Sequence, residues 1–328
     1  MTAGGKSGGH AIRRTTTARS LAGAAVVLAL ALALAAQARA ASAPSVSTGS
    51  AAAVEYATAT LTGSVDPNGY PTSYYFQYGV TRSYGGQTAI ASAGSGGVPI
   101  SVRLPVGGLQ PLTLYHYRLV AVNGHGPTIG GDHTFLTTKV PLSLSILATP
   151  DPVAFGGAVT IAGTLSGTGN AGRAVVLQAD PFPFKTGLQT IGNPQLTSAS
   201  GGFSFPILGL TTVTQFRVLT TTKPPVSSLV TVADVAVRVS SHIARTARPG
   251  FARFYGTVSP AEDGMQIGIL RISHGHGALV GGTILRHLNA AGSRYSRVVR
   301  VRPGVYRVLA RVTSGAQVSS YGPPLVIR

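Results

Sequence analysis

The chain has 328 residues, 44% of them hydrophobic and 10% charged, with 43 Gly, 21 Pro, no Cys and no Trp. Gly and Pro together make about a fifth of it, short of the ~25–30% typical of low-complexity disorder, so folded structure is expected. The length suits two or three domains, and the absence of cysteine excludes disulfide scaffolds, thiolate metal sites, cysteine nucleophiles and a lipid-bearing cysteine anchor.

At the start of the chain, Lys6, Arg13, Arg14 and Arg19 precede the apolar run Leu21 to Ala36, and Ala38-Arg39-Ala40 has the small-x-small form of a signal-peptidase site. This order predicts an export signal over residues 1–40, cleaved after Ala40. The apolar run has 16 residues, fewer than the ~20 that cross a bilayer. No later run is longer, so no transmembrane segment is expected after cleavage. Thr15-Thr16-Thr17 lacks the apolar residues that follow the pair in a twin-arginine motif, which favours general secretion. Residues 41–53, nearly all Ala, Ser, Thr and Gly, read as a flexible leader.

An apolar-x-Gly-Ser/Thr-aliphatic pattern then occurs three times, at Leu61-Thr62-Gly63-Ser64-Val65, Ile161-Ala162-Gly163-Thr164-Leu165 and Phe254-Tyr255-Gly256-Thr257-Val258. Tyr115 follows Gly63 by 52 residues, Phe216 follows Gly163 by 53 and Tyr306 follows Gly256 by 50, each opening an alternating run. Two landmarks that keep their offset define a repeat of ~90–100 residues, the size of one β-sandwich. Val, Thr, Ile, Tyr and Phe alternate with polar residues over short runs, and no part of the chain after the export signal shows an apolar stripe at helical spacing. Turn chemistry stands at Asp66-Pro67-Asn68-Gly69, Gly85-Gly86, Asn123-Gly124, Ser200-Gly201-Gly202 and Pro303-Gly304. The fold class predicted is all-β: tandem antiparallel β-sandwiches in three units, residues 54–138, 139–238 and 239–328.

Tyr74-Tyr75-Phe76-Gln77-Tyr78-Gly79, with Leu109-x-Pro111-x-Thr113-x-Tyr115 and Ala121-Val122-Asn123, resembles the fibronectin type III domain of secreted bacterial proteins over residues 54–138. The resemblance implies that Tyr115 forms a tyrosine corner, its hydroxyl bonded back to nearby backbone. The family's core tryptophan is absent, so Tyr74, Phe76 or Tyr78 must fill that volume. Residues 139–238 and 239–328 resemble bacterial immunoglobulin-like domains through the Gly turn and aromatic-Ser strand at Ser200-Gly201-Gly202-Phe203-Ser204 and Ala291-Gly292-Ser293-Arg294-Tyr295-Ser296. Phe216, without a hydroxyl, cannot make the corner.

Catalytic and cofactor motifs are sparse. Gly167-Thr168-Gly169-Asn170-Ala171-Gly172 fits G-x-G-x-x-G, but the strand-like Arg173-Ala174-Val175-Val176-Leu177-Gln178 follows where a dinucleotide site needs a helix, so it reads as a hairpin turn. Glu262-Asp263 reads as a solvated pair in a turn. His274-Gly275-His276 lacks a third adjacent ligand, and His287 would have to fold back, so it reads as a loop without metal. No cofactor and no enzymatic activity are expected. Tyr70, Tyr74, Tyr75, Tyr78 and Tyr84 could supply a sugar-stacking face, although alternation gives Tyr74, Phe76 and Tyr78 to a core.

Charge is the least even property. Residues 239–328 carry twelve arginines against Glu262 and Asp263, a net +10, whereas residues 41–138 are balanced at three basic and three acidic. Arg294, Arg297, Arg300, Arg302, Arg307 and Arg311 flank the Pro303-Gly304 turn. A hairpin there would gather them on one anion-binding surface for wall polymers, acidic glycans, phospholipid headgroups or nucleic acid bound without sequence specificity. Base-specific recognition is not expected, since no helix is available for a groove. The sequence thus suggests a secreted, non-enzymatic spacer or adhesion protein of the bacterial envelope, with a carbohydrate-binding accessory protein as the alternative.

Overall fold

The computed structural model describes Met1 and residues 42–328, so the export signal expected over residues 1–40 lies, but for Met1, outside the described residues. Every regular element among them is a strand, as β-branched and aromatic residues alternating with polar ones require. The chain divides into a unit ending at Lys139 and a unit running from Val140 to Arg328.

The first unit comprises β1 (Ser45–Thr48), β2 (Thr58–Asp66), β3 (Thr72–Gly79), β4 (Gly86–Gln87), β5 (Ala91–Gly94), β6 (Ile100–Gly107), β7 (Leu114–Asn123), β8 (Gly126–Ile129) and β9 (His133–Leu136). A sheet in the order β1-β2-β6 lies over a second built on β3 and β7, with β4 and β5 against β3 and β8 and β9 against β7. Leu61, Val65, Phe76, Tyr117 and Leu119 are buried between them. Tyr74 and Phe76 belong to this core and Tyr78 packs on it. The Gln110 N–H donates to the Tyr115 hydroxyl at 3.0 Å. Tyr115→Phe keeps the ring and strips that acceptor from the Gln110 amide, so it is expected to cost this sandwich about 1–3 kcal/mol in a urea unfolding measurement. No measurable change would mean that the bond contributes nothing.

Residues 45–48 correct the expectation of a flexible leader over 41–53. They form β1, in register with Gly63 to Asp66 of β2. Pairing supplies what composition lacks: Val46 packs on the core, and Thr48 is buried and accepts the Leu119 N–H at 3.1 Å.

The second unit holds two sandwiches with separate cores. The first of these comprises β10 (Ser143–Thr149), β11 (Val153–Ala154), β12 (Gly157–Ser166), β13 (Ala174–Pro181), β14 (Gln189–Leu196), β15 (Gly202–Leu210), β16 (Thr214–Thr220), β17 (Thr231–Ala233) and β18 (Val235–Ala236). Its sheets are β10-β12-β15 and β14-β13-β16-β17, with β11 and β18 paired in parallel. The glycine-rich stretch 167–172 joins β12 of one sheet to β13 of the other, so it is an inter-sheet connection rather than a hairpin turn.

The following sandwich comprises β19 (Arg238–Val239), β20 (His242–Arg245), β21 (Phe251–Ser259), β22 (Gln266–Ser273), β23 (His276–Ile284), β24 (Arg286–Asn289), β25 (Gly292–Arg300), β26 (Gly304–Arg311), β27 (Ser320–Tyr321) and β28 (Leu325–Ile327). One sheet runs β19-β21-β25-β24 with β20 on β21, and the other runs β23-β22-β26-β27 with β28 on β26. Phe254, Ile269, Tyr295 and Tyr306 lie in its core.

The glycine of the repeated pattern has the same task in each sandwich. A methyl group on Gly63 would stand 2.8 Å from the Ser47 carbonyl oxygen, on Gly163 2.1 Å from that of Ser145, and on Gly256 2.0 Å from that of Ser240. In all three the neighbouring backbone passes so close that no Cβ fits.

The two sandwiches of the second unit are also bonded to each other. Val318 N donates to Val235 O at 2.8 Å and Val237 N to Val318 O at 3.2 Å, while Val213 N reaches Ala316 O at 2.8 Å. Residues 235–237 are buried at this junction.

Candidate functional site

The arginines expected to share one hairpin surface are divided between the two sheets of the last sandwich. Arg294, Arg297 and Arg300 lie on β25, paired on one side with β21 and on the other with β24. Arg307 and Arg311 lie on β26, whose edges are taken by β22 and by β27 and β28. Neither strand has an edge left for the other, and residues 301–303 cross between the layers. The crossing is tied by Tyr306, whose hydroxyl accepts the Arg302 N–H at 3.0 Å and donates to the Arg302 carbonyl at 2.8 Å.

Along the β25 sheet and the end of β23 a groove of about 710 Å³ is lined by Arg253, Arg286, Arg294 and Arg297, with Tyr255 and His242 among its other residues and no carboxylate. Strand alternation places Arg253, Tyr255 and Thr257 outward from β21, since Phe254 and Val258 are buried. Arg253 Nε donates to Ser296 Oγ at 2.9 Å, and its guanidinium carbon stands 5.3 Å from the Tyr255 ring centroid. Arg286 and Arg294 are direct cross-strand partners. Like charges so placed destabilise a sheet. Among the described residues the ion pairs are Arg82–Asp132, His116–Asp132 and His287–Asp263, so no arginine of this sandwich is answered by a carboxylate there.

The other arginines divide further. Arg297 and Arg311 also line a groove of about 560 Å³ with Leu270, Leu279 and Leu309. Arg307 is held structurally, its Nε donating to Gly322 O at 3.1 Å and its guanidinium 4.9 Å from the Tyr321 ring. Arg300 and Arg302 lie with Arg271 at a third concavity. Arg253, Arg271, Arg286, Tyr255 and His242 are the lining residues that sequence reasoning missed. Alternation through Phe251-Ala252-Arg253-Phe254-Tyr255 could have found two of them, but Arg286 becomes a neighbour of Arg294 only through the turn between β24 and β25.

The remaining candidate residues have local roles. His274 and His276 are exposed, with His274 Nδ1 3.1 Å from Ser273 Oγ, and among the described residues no group of three or more His, Cys, Asp or Glu could hold a metal ion. Tyr84 donates to Asp132 at 3.0 Å beneath the Arg118 guanidinium. Burial raises the Asp132 pKa, but hydrogen bonds from His116 and Tyr84, with the charges of His116 and Arg82, outweigh it and hold the carboxyl below its usual range.

Glu262 is not solvated as expected. It is 7% exposed, and burial pushes its carboxyl pKa up, against a lowering hydrogen bond from Ser314. The folded protein therefore holds this proton to higher pH than the unfolded chain, and stability falls as pH rises between the unfolded and folded values. Glu262→Gln is expected to raise the melting temperature at pH 7 and to leave it unchanged near pH 3.5, where both states of the parent are protonated. Equal melting at both pH values would remove Glu262 as the cause.

No family model matches the chain, and no curated protein matches it. Among solved structures it is similar to three consecutive titin domains, at 14% identity and TM-score 0.35 over 87% of this chain and 99% of that one. It is similar to the FN1–FN3 domains of chicken CNTN1, at 17% identity and TM-score 0.29 over 87% and 99%. It is also similar to a tetra-tandem repeat from the extending region of a large adhesion protein, at 16% identity and TM-score 0.26 over 88% and 74%. The strand pairings themselves define the class: antiparallel β-sandwiches of the fibronectin type III and immunoglobulin-like kind, in tandem.

Proposed function

We propose that this chain is an exported, non-enzymatic spacer or adhesion protein of the cell envelope whose last sandwich contacts anionic surface polymers. The observation that carries the reading is Arg286 set opposite Arg294 in a groove with two further arginines and no acidic residue. An anion bridging the two guanidinium groups would turn their repulsion into attraction, and forked guanidinium donors suit carboxylate and phosphate groups. Export is supported by the residue pattern before Ala41. Among the described residues no helix is long and apolar enough to cross a membrane.

The test is retention on a polyanion resin and on purified cell wall across a salt series. Retention should fall steeply with salt, because exposed charges are screened beyond ~8 Å at physiological ionic strength. It should be nearly constant from pH 6 to pH 9, since a guanidinium stays ionised throughout that range. Arg286→Gln with Arg294→Gln should elute clearly earlier than the parent. Co-elution of the two would overturn the reading.

A further inference from the structure

We propose that the end of the last sandwich farther from its neighbour is a discrete site for a tetrahedral oxyanion, a phosphoryl or sulfuryl group, held by Arg271, Arg300 and Arg302. The register of the strands shows how charge is sorted along this sandwich. The junction with the preceding sandwich, residues 235–237 and 316–318, lies at the end where β21 finishes and β22 begins. Both acidic residues, Glu262 and Asp263, fall in the connection between those strands at that same end. At the opposite end β20 finishes at Arg245 opposite Ala252, β25 finishes at Arg300 opposite Phe251, and β28 finishes opposite Gly304, just before Arg328. Arg248, Arg271 and Arg302 belong to this end as well, and no acid does.

Within that end Arg271, Arg300 and Arg302 line a concavity of about 400 Å³ with Ser273 and Tyr306, of a size for a small oxyanion and part of its carrier. The positions are built. Arg271 Nη2 donates to the Pro303 carbonyl at 3.0 Å. Gly304 has φ of +149°, and a Cβ there would stand 3.0 Å from Arg271 Nε, so glycine makes room for the guanidinium. The Tyr306 hydroxyl grips both backbone polar groups of Arg302 and fixes where that side chain starts. Arg271 Nε is buried with no hydrogen-bond partner. Stability alone does not favour such an arrangement, which gathers like charges without a counter-ion. An oxyanion accepting from the outward guanidinium edges supplies that counter-charge and gives the arrangement a use.

The site deepens the anionic-polymer reading but stands or falls separately, because it is tested with small ions and with variants outside the polymer groove. Isothermal titration of the chain at low ionic strength with inorganic phosphate, sulfate and acetate is the measurement. Phosphate and sulfate are expected to bind saturably at one site, with acetate at least tenfold weaker. Arg271→Gln should weaken phosphate at least tenfold and Arg302→Gln at least threefold, while Arg286→Gln with Arg294→Gln should leave it unchanged. Arg302 is exposed, so its variant decides the matter if Arg271→Gln does not fold. A glycerol-phosphate oligomer in the same titration separates the sources: binding as tight as phosphate indicates a polymer phosphodiester, and weaker binding indicates the free ion or a terminal ester. Non-saturable heats, acetate equal to phosphate, or parental affinity in Arg302→Gln would each overturn the proposal.

Discussion

Replacing Gly163 with alanine is expected to destabilise its sandwich by about 1–3 kcal/mol, and replacing it with valine by more, because the added carbon meets backbone rather than a side chain that can turn away. The Ser145 carbonyl oxygen would lie 2.1 Å from the new methyl group, with the Phe203 ring at 2.7 Å behind it. Relief requires β10 to lift from β12, breaking a pairing that runs from Ser143 to Thr149. Gly256→Ala should act alike in the last sandwich against Ser240, while Gly63→Ala, with 2.8 Å to the Ser47 oxygen, should be the mildest. The check is urea unfolding of the three variants. A Gly163→Ala protein as stable as the parent would mean that the strands separate at no cost.

A chain ending at residue 239 is expected to leave the sandwich before it weaker by roughly 3–7 kcal/mol, from five hydrogen bonds at about 0.5–1.5 kcal/mol each. Three are the backbone bonds among Val213, Val235, Val237, Ala316 and Val318. The others run from Thr212 Oγ1 to Ala316 O at 3.1 Å and from Gln317 Nε2 to Thr211 O at 2.8 Å. In the full chain the two sandwiches should therefore melt in one transition, and protease should spare residues 234–239. A truncated chain unfolding at the parental urea concentration would show that the junction adds no stability.

The all-β fold was legible because its punctuation is local. The pattern glycines fall on β2, β12 and β21, and the trailing aromatics Tyr115, Phe216 and Tyr306 on β7, β16 and β26. A close backbone approach admits glycine alone, so it leaves a mark in sequence, whereas what faces those glycines is a carbonyl oxygen that any residue could offer. Strand β1 escaped notice for a related reason. Ser-Val-Ser-Thr has little apolar content of its own, and its pairing comes from β2, across an intervening loop. The arginines were legible as charge but not as surface. Whether two strands joined by a short turn pair or stack depends on which edges are occupied by strands distant in sequence, here β21 and β22. The clustering of Arg271 with Arg302 and of Arg286 with Arg294 is a product of that arrangement.

The segment 234–237 would set how the second unit answers a pull applied along the chain. It is flanked on one side by β11, with Val153 N bonded to Asp234 O and Phe155 N to Ala236 O, and on the other by Val318. In mechanical terms it is a lap joint: a pull passing along the chain from one sandwich to the next would meet these hydrogen bonds before the segment could lengthen. A bare linker would straighten under the first small pull, whereas this one must lose both neighbours at once before it lengthens.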